Sequence, residues 1–265
     1  MTESTTPGGA AAEAPLVRYD TDRAVATLTL DSPRNRNALS TRLVSELEQG
    51  LAQAAKDEAV RAVVLTHTGT VFCAGADLSE ASGGDPTDAP RKLVDLMRAL
   101  AELPKPVVAR VDGHVRAGGL GLLGACDLVV AGPAATFAFT EVRLGLAPAV
   151  ISLSLLPRLE PRAAGRWYLT GDTFDAAEAA RIGLITLAAD DAGAAAEPLL
   201  DALRKASPQG LAETKRLVAA GVLRSIEQDG AELIAQSARL FGSAEAREGM
   251  RAFLERRPPA WAQQQ

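Results

Sequence analysis

Three short apolar runs constrain this chain more than any other feature: Ala62-Val63-Val64-Leu65-Thr66, Val107 to Val111 and Leu128 to Ala131. They are too short for buried helices, rich in β-branched residues, and followed by glycine-containing turns. Such runs read as strands covered on both faces, the situation of a parallel sheet. Between the first two lies Arg91 to Leu103, with Leu93, Leu96, Met97 and Leu100 on one side of a helix. Strand, helix and strand in that order imply right-handed crossovers and an α/β core.

The flanks extend this pattern. Leu16 to Leu30 alternates apolar and polar residues and reads as strand, broken by Asp31, Ser32 and Pro33. Ser40 and Thr41 are placed to cap a helix whose apolar positions are Leu43, Val44, Leu47 and Leu51. Ala81 to Pro90, with two Gly, two Pro and two Asp, is expected to be a mobile surface loop in a position to act as a lid. After Pro148 the sequence turns almost continuously helical, including Ala176 to Ile182, Ala192 to Lys205, Leu211 to Val222 and Ser225 to Phe241. That tail is too thinly apolar to stand alone, so it folds back or packs against another subunit. The expected organisation is a disordered leader over 1–15, a core over 16–200 and a helical region over 201–265.

Composition narrows the partners. A chain of 265 residues, 47% apolar and 23% charged, suits one large soluble domain. A net charge of -5 gives no reason to expect nucleic acid, while leaving room for a local basic patch on a phosphate-bearing ligand. Cys73, Cys126, His67 and His114 are the only cysteines and histidines, which argues against a disulfide framework and a Cys/His zinc cluster. The first fifteen residues lack Arg, Lys and any long apolar run, and Gln263 to Gln265 form no peroxisomal tripeptide. A cytoplasmic protein without a membrane span is the expectation.

The chemistry lies in two glycine turns that follow buried strands: Phe72-Cys73-Ala74-Gly75-Ala76-Asp77-Leu78, and Asp112-Gly113-His114-Val115-Arg116-Ala117-Gly118-Gly119-Leu120-Gly121. Small residues let backbone approach a ligand, and free N–H groups at a helix start favour negative charge. Two such amides converging on one oxygen make an oxyanion hole. The alternative is that the glycines only permit close packing of helix on strand. The spacing differs from the dinucleotide pattern G-x-G-x-x-G, and no Gly-Lys-Ser or Gly-Lys-Thr of a P-loop occurs.

These turns, with Ser32 to Ser40 ahead of them and Phe253-Leu254-Glu255-Arg256-Arg257 behind, resemble the crotonase, or enoyl-CoA hydratase/isomerase, superfamily from about Leu16 onward. The resemblance implies a spiral of ββα units with a C-terminal helical trimerisation region, assembled as a homotrimer or homohexamer. It implies an acyl-CoA substrate, with coenzyme A entering as part of that substrate and no metal or redox cofactor. It places oxyanion amides on Ala76 and Gly118 and a catalytic carboxylate on Glu141. Arg34, Arg36, Ala74, Asp77, Leu78, Phe253 and Arg256 become the coenzyme A contacts, with guanidinium groups suited to phosphate and an aromatic face to adenine.

One departure bears on mechanism. Where hydratases of the family carry a second catalytic carboxylate, this chain has Gly121, which leaves a gap and transfers no proton. Asp85 or Asp88 is a candidate to enter the site instead. Hydration of a 2-enoyl-CoA, branched and dicarboxylyl chains included, remains the leading expectation, because Glu141 to Pro148 resembles methylglutaconyl-CoA-type hydratases. Δ3-Δ2 isomerisation by a single Glu, or acyl-CoA binding without turnover, are the alternatives. His114 is expected to be a packed histidine, Cys73 a buried small residue, and Asp77 a helix cap or ligand contact. Arg116 either recognises a charged acyl group or pairs with a local carboxylate.

Overall fold

The computed structural model describes residues 14–77, 80 and 85–262. It opens with β1 (Val17–Asp22) and β2 (Val25–Leu30), antiparallel and joined through Arg23 and Ala24. The single strand expected from Leu16 to Leu30 is therefore a hairpin. Both turn residues have positive φ, 44° and 62°, a conformation usually supplied by Gly or Asn, so Arg and Ala gave no turn signal. The next elements are α1 (Thr41–Lys56), β3 (Ala62–His67), β4 (Val71–Cys73) and α2 (Asp88–Glu102). Ser40 Oγ caps α1 by accepting from Leu43 N at 3.2 Å, as expected.

The spiral then repeats. β5 (Val107–Val111), β6 (His114–Arg116) and α3 (Gly118–Ala125) form a second strand-strand-helix unit, followed by β7 (Leu128–Ala131) and β8 (Thr136–Ala138). The long strands β2, β3, β5 and β7 lie parallel in a six-stranded sheet, and β4, β6 and β8 lie parallel in a second, four-stranded sheet. Each apolar run thus enters one sheet, crosses to the other and leaves from its C-terminal end.

Beyond β8 come α4 (Ser152–Leu155), α5 (Pro161–Thr170), β9 (Phe174–Asp175), α6 (Ala176–Arg181), β10 (Leu187–Ala188), α7 (Ala192–Lys205), α8 (Pro208–Phe241) and α9 (Ala244–Leu254). The two-residue strands β9 and β10 edge the small and large sheets. They are too short to display an alternating pattern, which is why the tail reads as helix alone. α8 is one unbroken helix where two were expected. Gly221 lowers helix propensity but sits inside it, and an added Cβ would meet nothing nearer than Pro157 Cβ at 3.6 Å.

Burial explains the continuous apolar reading of β3. Val63 and Leu65 face the main core, while Ala62 and Val64 join Val25, Val108 and Leu200 of α7 in a second cluster. Both faces are covered, as parallel strands require. The stretch Ala81 to Pro90 is only partly loop. Ala81 to Gly84 lie outside the described residues, as do residues 1–13 of the expected leader. Asp85 accepts from Thr87 N and Oγ1 at 2.9 and 2.8 Å, and Pro90 is buried in the first turn of α2.

Candidate active site

The C-terminal ends of β4, β6 and β8, adjacent parallel strands of the small sheet, release the segments carrying Ala76, Gly118 and Glu141. Ligands of parallel sheets bind at that edge, where the connections diverge.

The first segment is stitched to the turn that precedes α1. A 3-10 turn over Pro33–Asn35 is followed by Arg36 and Asn37, both with positive φ, 53° and 50°. Asn37 holds this shape from inside: its Oδ1 accepts from Ser32 N at 2.7 Å, and its Nδ2 donates to the Thr68 and Val71 carbonyls at 3.1 and 2.7 Å. Ala74 N then donates to Arg36 O at 3.1 Å, Leu39 N to Gly75 O at 2.8 Å, and Asn35 Nδ2 to Asp77 Oδ2 at 2.7 Å. Arg34 and Arg36 are exposed beside Ala74 and Asp77. Leu78 lies outside the described residues.

Gly75 and the second turn touch. Gly75 has φ 94°, and a Cβ there would lie 2.8 Å from Ala117 Cβ and 3.3 Å from Gly118 N. Gly118 is the first residue of α3, so its N–H has no acceptor within the helix. The Ala76 N–H donates to no backbone acceptor among the described residues. The packing reading of the glycines holds for others: a Cβ on Gly119 would lie 2.9 Å from Cys73 O, and one on Gly124 2.7 Å from Ser154 Oγ.

Glu141 lies in a 3-10 turn over Thr140–Leu144 that ends at Gly145, φ 71°. It is buried, 8% exposed, and its Oε2 has no hydrogen-bond partner. Burial pushes the carboxyl up to about 7, opposed only by its own backbone. Arg143 of the same turn is directed elsewhere, to Asp172 and the Thr170 carbonyl. α9 packs on the turn glycine against backbone: Gly249 abuts the Leu144 carbonyl, and a Cβ on Gly145 would meet Glu245 C at 2.7 Å.

The gap expected at Gly121 is closed. A Cβ there would meet Ile151 Cγ2 at 2.8 Å and Met97 Sδ at 2.9 Å, and the Gly121 carbonyl accepts from Ser154 Oγ at 2.8 Å. The position is filled by apolar neighbours. Asp85 and Asp88, the suggested replacements, are exposed, the first bound to Thr87 and the second in the first turn of α2.

Phe253 and Arg256 are exposed at the end of α9, and no hydrogen bond or ion pair among the described residues joins them to Arg34 or Ala74. Arg257 rather than Arg256 is locked, to Glu248 and Glu255 at 2.6 Å each. Cys73 is fully buried, with its thiol pushed up to about 12 by desolvation, an inert side chain as expected. His114 is exposed instead of packed, with Nδ1 2.8 Å from Thr136 Oγ1. Arg116 pairs with no carboxylate among the described residues; it donates to the Val115 and Thr136 carbonyls and to Thr136 Oγ1. Strand alternation sends it to the face opposite Val115, which is in the core. Asn37 gave no sequence signal beyond being an Asn in a turn.

Two touching small-residue turns and a buried carboxylate with an unpartnered oxygen, all leaving adjacent strand ends, fit a crotonase-type acyl-CoA enzyme. The family model described as enoyl-CoA hydratase/isomerase matches residues 20–264. An enoyl-CoA hydratase of known structure from Mycobacterium avium is 55% identical, with a TM-score of 0.89, covering 94% of this chain and 99% of that one. A Thermus thermophilus protein provisionally named enoyl-CoA hydratase is 37% identical over 244 residues, 89% of this chain and 96% of its own. Mevalonyl-coenzyme A hydratase of Aspergillus fumigatus is 33% identical over 258 residues, 93% of this chain and 94% of its own. The chain belongs to the enoyl-CoA hydratase/isomerase family and is an enzyme of it. No helix among the described residues is long and apolar enough to cross a membrane.

Proposed function

We propose that this enzyme adds water to a 2-enoyl-CoA with Glu141 as its one acting carboxylate. The observation that carries the reading is the emergence of Ala76, Gly118 and Glu141 from three adjacent strand ends. The Ala76 and Gly118 amides hold the thioester oxygen. Glu141 takes a proton from water as the water oxygen bonds to Cβ, and the electrons of the double bond move to the thioester as an enolate. Glu141 then returns that proton to Cα, so one molecule of water is consumed and the carboxylate is regenerated. A carboxyl held near 7 exchanges a proton in both directions at neutral pH.

Arg34, Arg36, Ala74 and Asp77 are assigned to the nucleotide end of the substrate. Phe253 and Arg256, exposed at the end of α9, are assigned to close over it from a second copy in a homotrimer or homohexamer. No metal or redox cofactor takes part. The filled position at Gly121 favours a second reading, Δ3-Δ2 isomerisation, in which Glu141 moves a proton along the acyl chain without water.

Product analysis on straight, branched and dicarboxylyl 2-enoyl-CoA and on 3-enoyl-CoA separates the readings. Hydroxyacyl-CoA from the 2-enoyl substrates is expected, with loss of most turnover but not of binding in Glu141→Gln. Conversion of 3-enoyl-CoA alone would establish the isomerase. Tight binding without turnover, or full activity in Glu141→Gln, would overturn the proposal.

A further inference from the structure

Tyr168 of α5 is the polar side chain whose environment the proposed mechanism leaves unused. Its ring packs against Phe139, the residue before the Glu141 turn, with centroids 4.5 Å apart. Its hydroxyl lies 3.5 Å from Ser152 Oγ, well beyond the usual 2.7–2.8 Å or so of an O–H···O bond. Ser152 has one hydrogen, and it is given to the Pro148 carbonyl at 2.6 Å. The phenol must therefore be the donor in that long contact, and its proton is poorly used. Glu141 has the converse deficit, a buried Oε2 with no donor. The Glu141 charge is close enough to add to the burial that pushes the Tyr168 phenol up.

We propose that Tyr168 is a positioning residue whose O–H leaves Ser152 and donates to the Glu141 carboxylate whenever that carboxylate is ionised. The proposal rests on Glu141 as the base. An ionised buried carboxylate needs donors, and a hydrogen bond made only to the charged form favours that form and fixes the direction of its free lone pairs. The charged groups around the turn do not supply one. Arg143 is taken by Asp172, Arg166 of α5 lies over the Trp167 ring at 4.2 Å, and Glu248 of α9 is bound by Arg257. The neutral phenol, whose one contact is long, has a hydrogen to give.

The test is the ionisation midpoint of Glu141, read as its protonated carboxyl band in infrared difference spectra against Glu141→Gln, alongside the pH dependence of turnover. Tyr168→Phe is expected to raise the midpoint by about one pH unit, the weight of one hydrogen bond to a charge. Turnover on the acid side should fall about tenfold accordingly, with the alkaline plateau retained. An unmoved midpoint would overturn the proposal, as would a uniform loss at every pH, which marks a packing role. Should Tyr168→Phe not fold, Ser152→Ala reports instead: the released phenol binds Glu141 more fully and the midpoint falls, and an unchanged midpoint there is the refuting result. Full turnover in Glu141→Gln would refute the base assignment, while the spectroscopic midpoint still decides the Tyr168 contact.

Discussion

Lys215 of α8 and Asp127, the residue before β7, form an ion pair of 2.8 Å with 3% and 9% of their side chains exposed. The other two hydrogens of the ammonium go to the Leu100 and Lys105 carbonyls, at 2.7 and 3.0 Å, and Asp127 also accepts from Val107 N at 2.7 Å. One buried cation thus joins the long helix to α2, β5 and β7. Lys215→Met should destabilise the fold by roughly 3–5 kcal/mol, because Asp127 is left as an uncompensated buried charge. In denaturant unfolding the double variant Lys215→Met with Asp127→Leu should recover part of that loss. If the single variant unfolds at the wild-type midpoint, the clamp has no energetic role.

Gly75→Ala should lower turnover by on the order of 100-fold while leaving coenzyme A binding largely intact. The added methyl must occupy space 2.8 Å from Ala117 Cβ at a φ of 94°, so it pushes apart the two turns that carry the amides. Steady-state kinetics and calorimetry with coenzyme A separate the two effects. Equal losses in binding and turnover would show that the turn serves the nucleotide instead.

Gly121→Glu should not gain hydration activity. Its side chain would start within 2.9 Å of Ile151 and Met97, and overpacking of this kind costs about 1–3 kcal/mol before the burial of a carboxylate is added. A variant that folds with wild-type thermal stability and hydrates faster would mean that Ile151 yields and the position is open after all.

Glu141→Gln should stabilise the protein at alkaline pH. Burial raises the carboxyl from 4.5 to about 7 in the fold, so the unfolded chain gives up its proton first and wild type loses stability as pH rises through that window. The full difference above the window is on the order of 3 kcal/mol. Unfolding of both proteins at pH 4 and pH 8 checks the sign. A gap between them that does not grow with pH would show that Glu141 ionises freely in the fold.

The parallel core was legible because its strands carry their burial in their own composition, as Val63 to Leu65 do. The two touching glycine turns were legible as small residues after such strands, and the sequence pattern also marks Ser40 as a cap. What the sequence concealed depends on distant partners. Nothing local says that Ile151 fills the space beside Gly121, that Lys215 reaches Asp127, or that Asn37 bonds to Thr68 and Val71. The β1–β2 turn was hidden for a different reason: Arg23 and Ala24 adopt a backbone their side chains do not favour, which only the surrounding strands enforce.

The glycine seam between α9 and the Glu141 turn sets an order of events. Glu141 emerges early in synthesis, while the helix that presses on its turn comes only after all of α4 to α8. Until α9 docks, the turn that carries the carboxyl lacks the backbone packing that Gly249 and Glu245 give it. A half-made chain can therefore hold both glycine turns while the Glu141 turn still waits for its last packing partner.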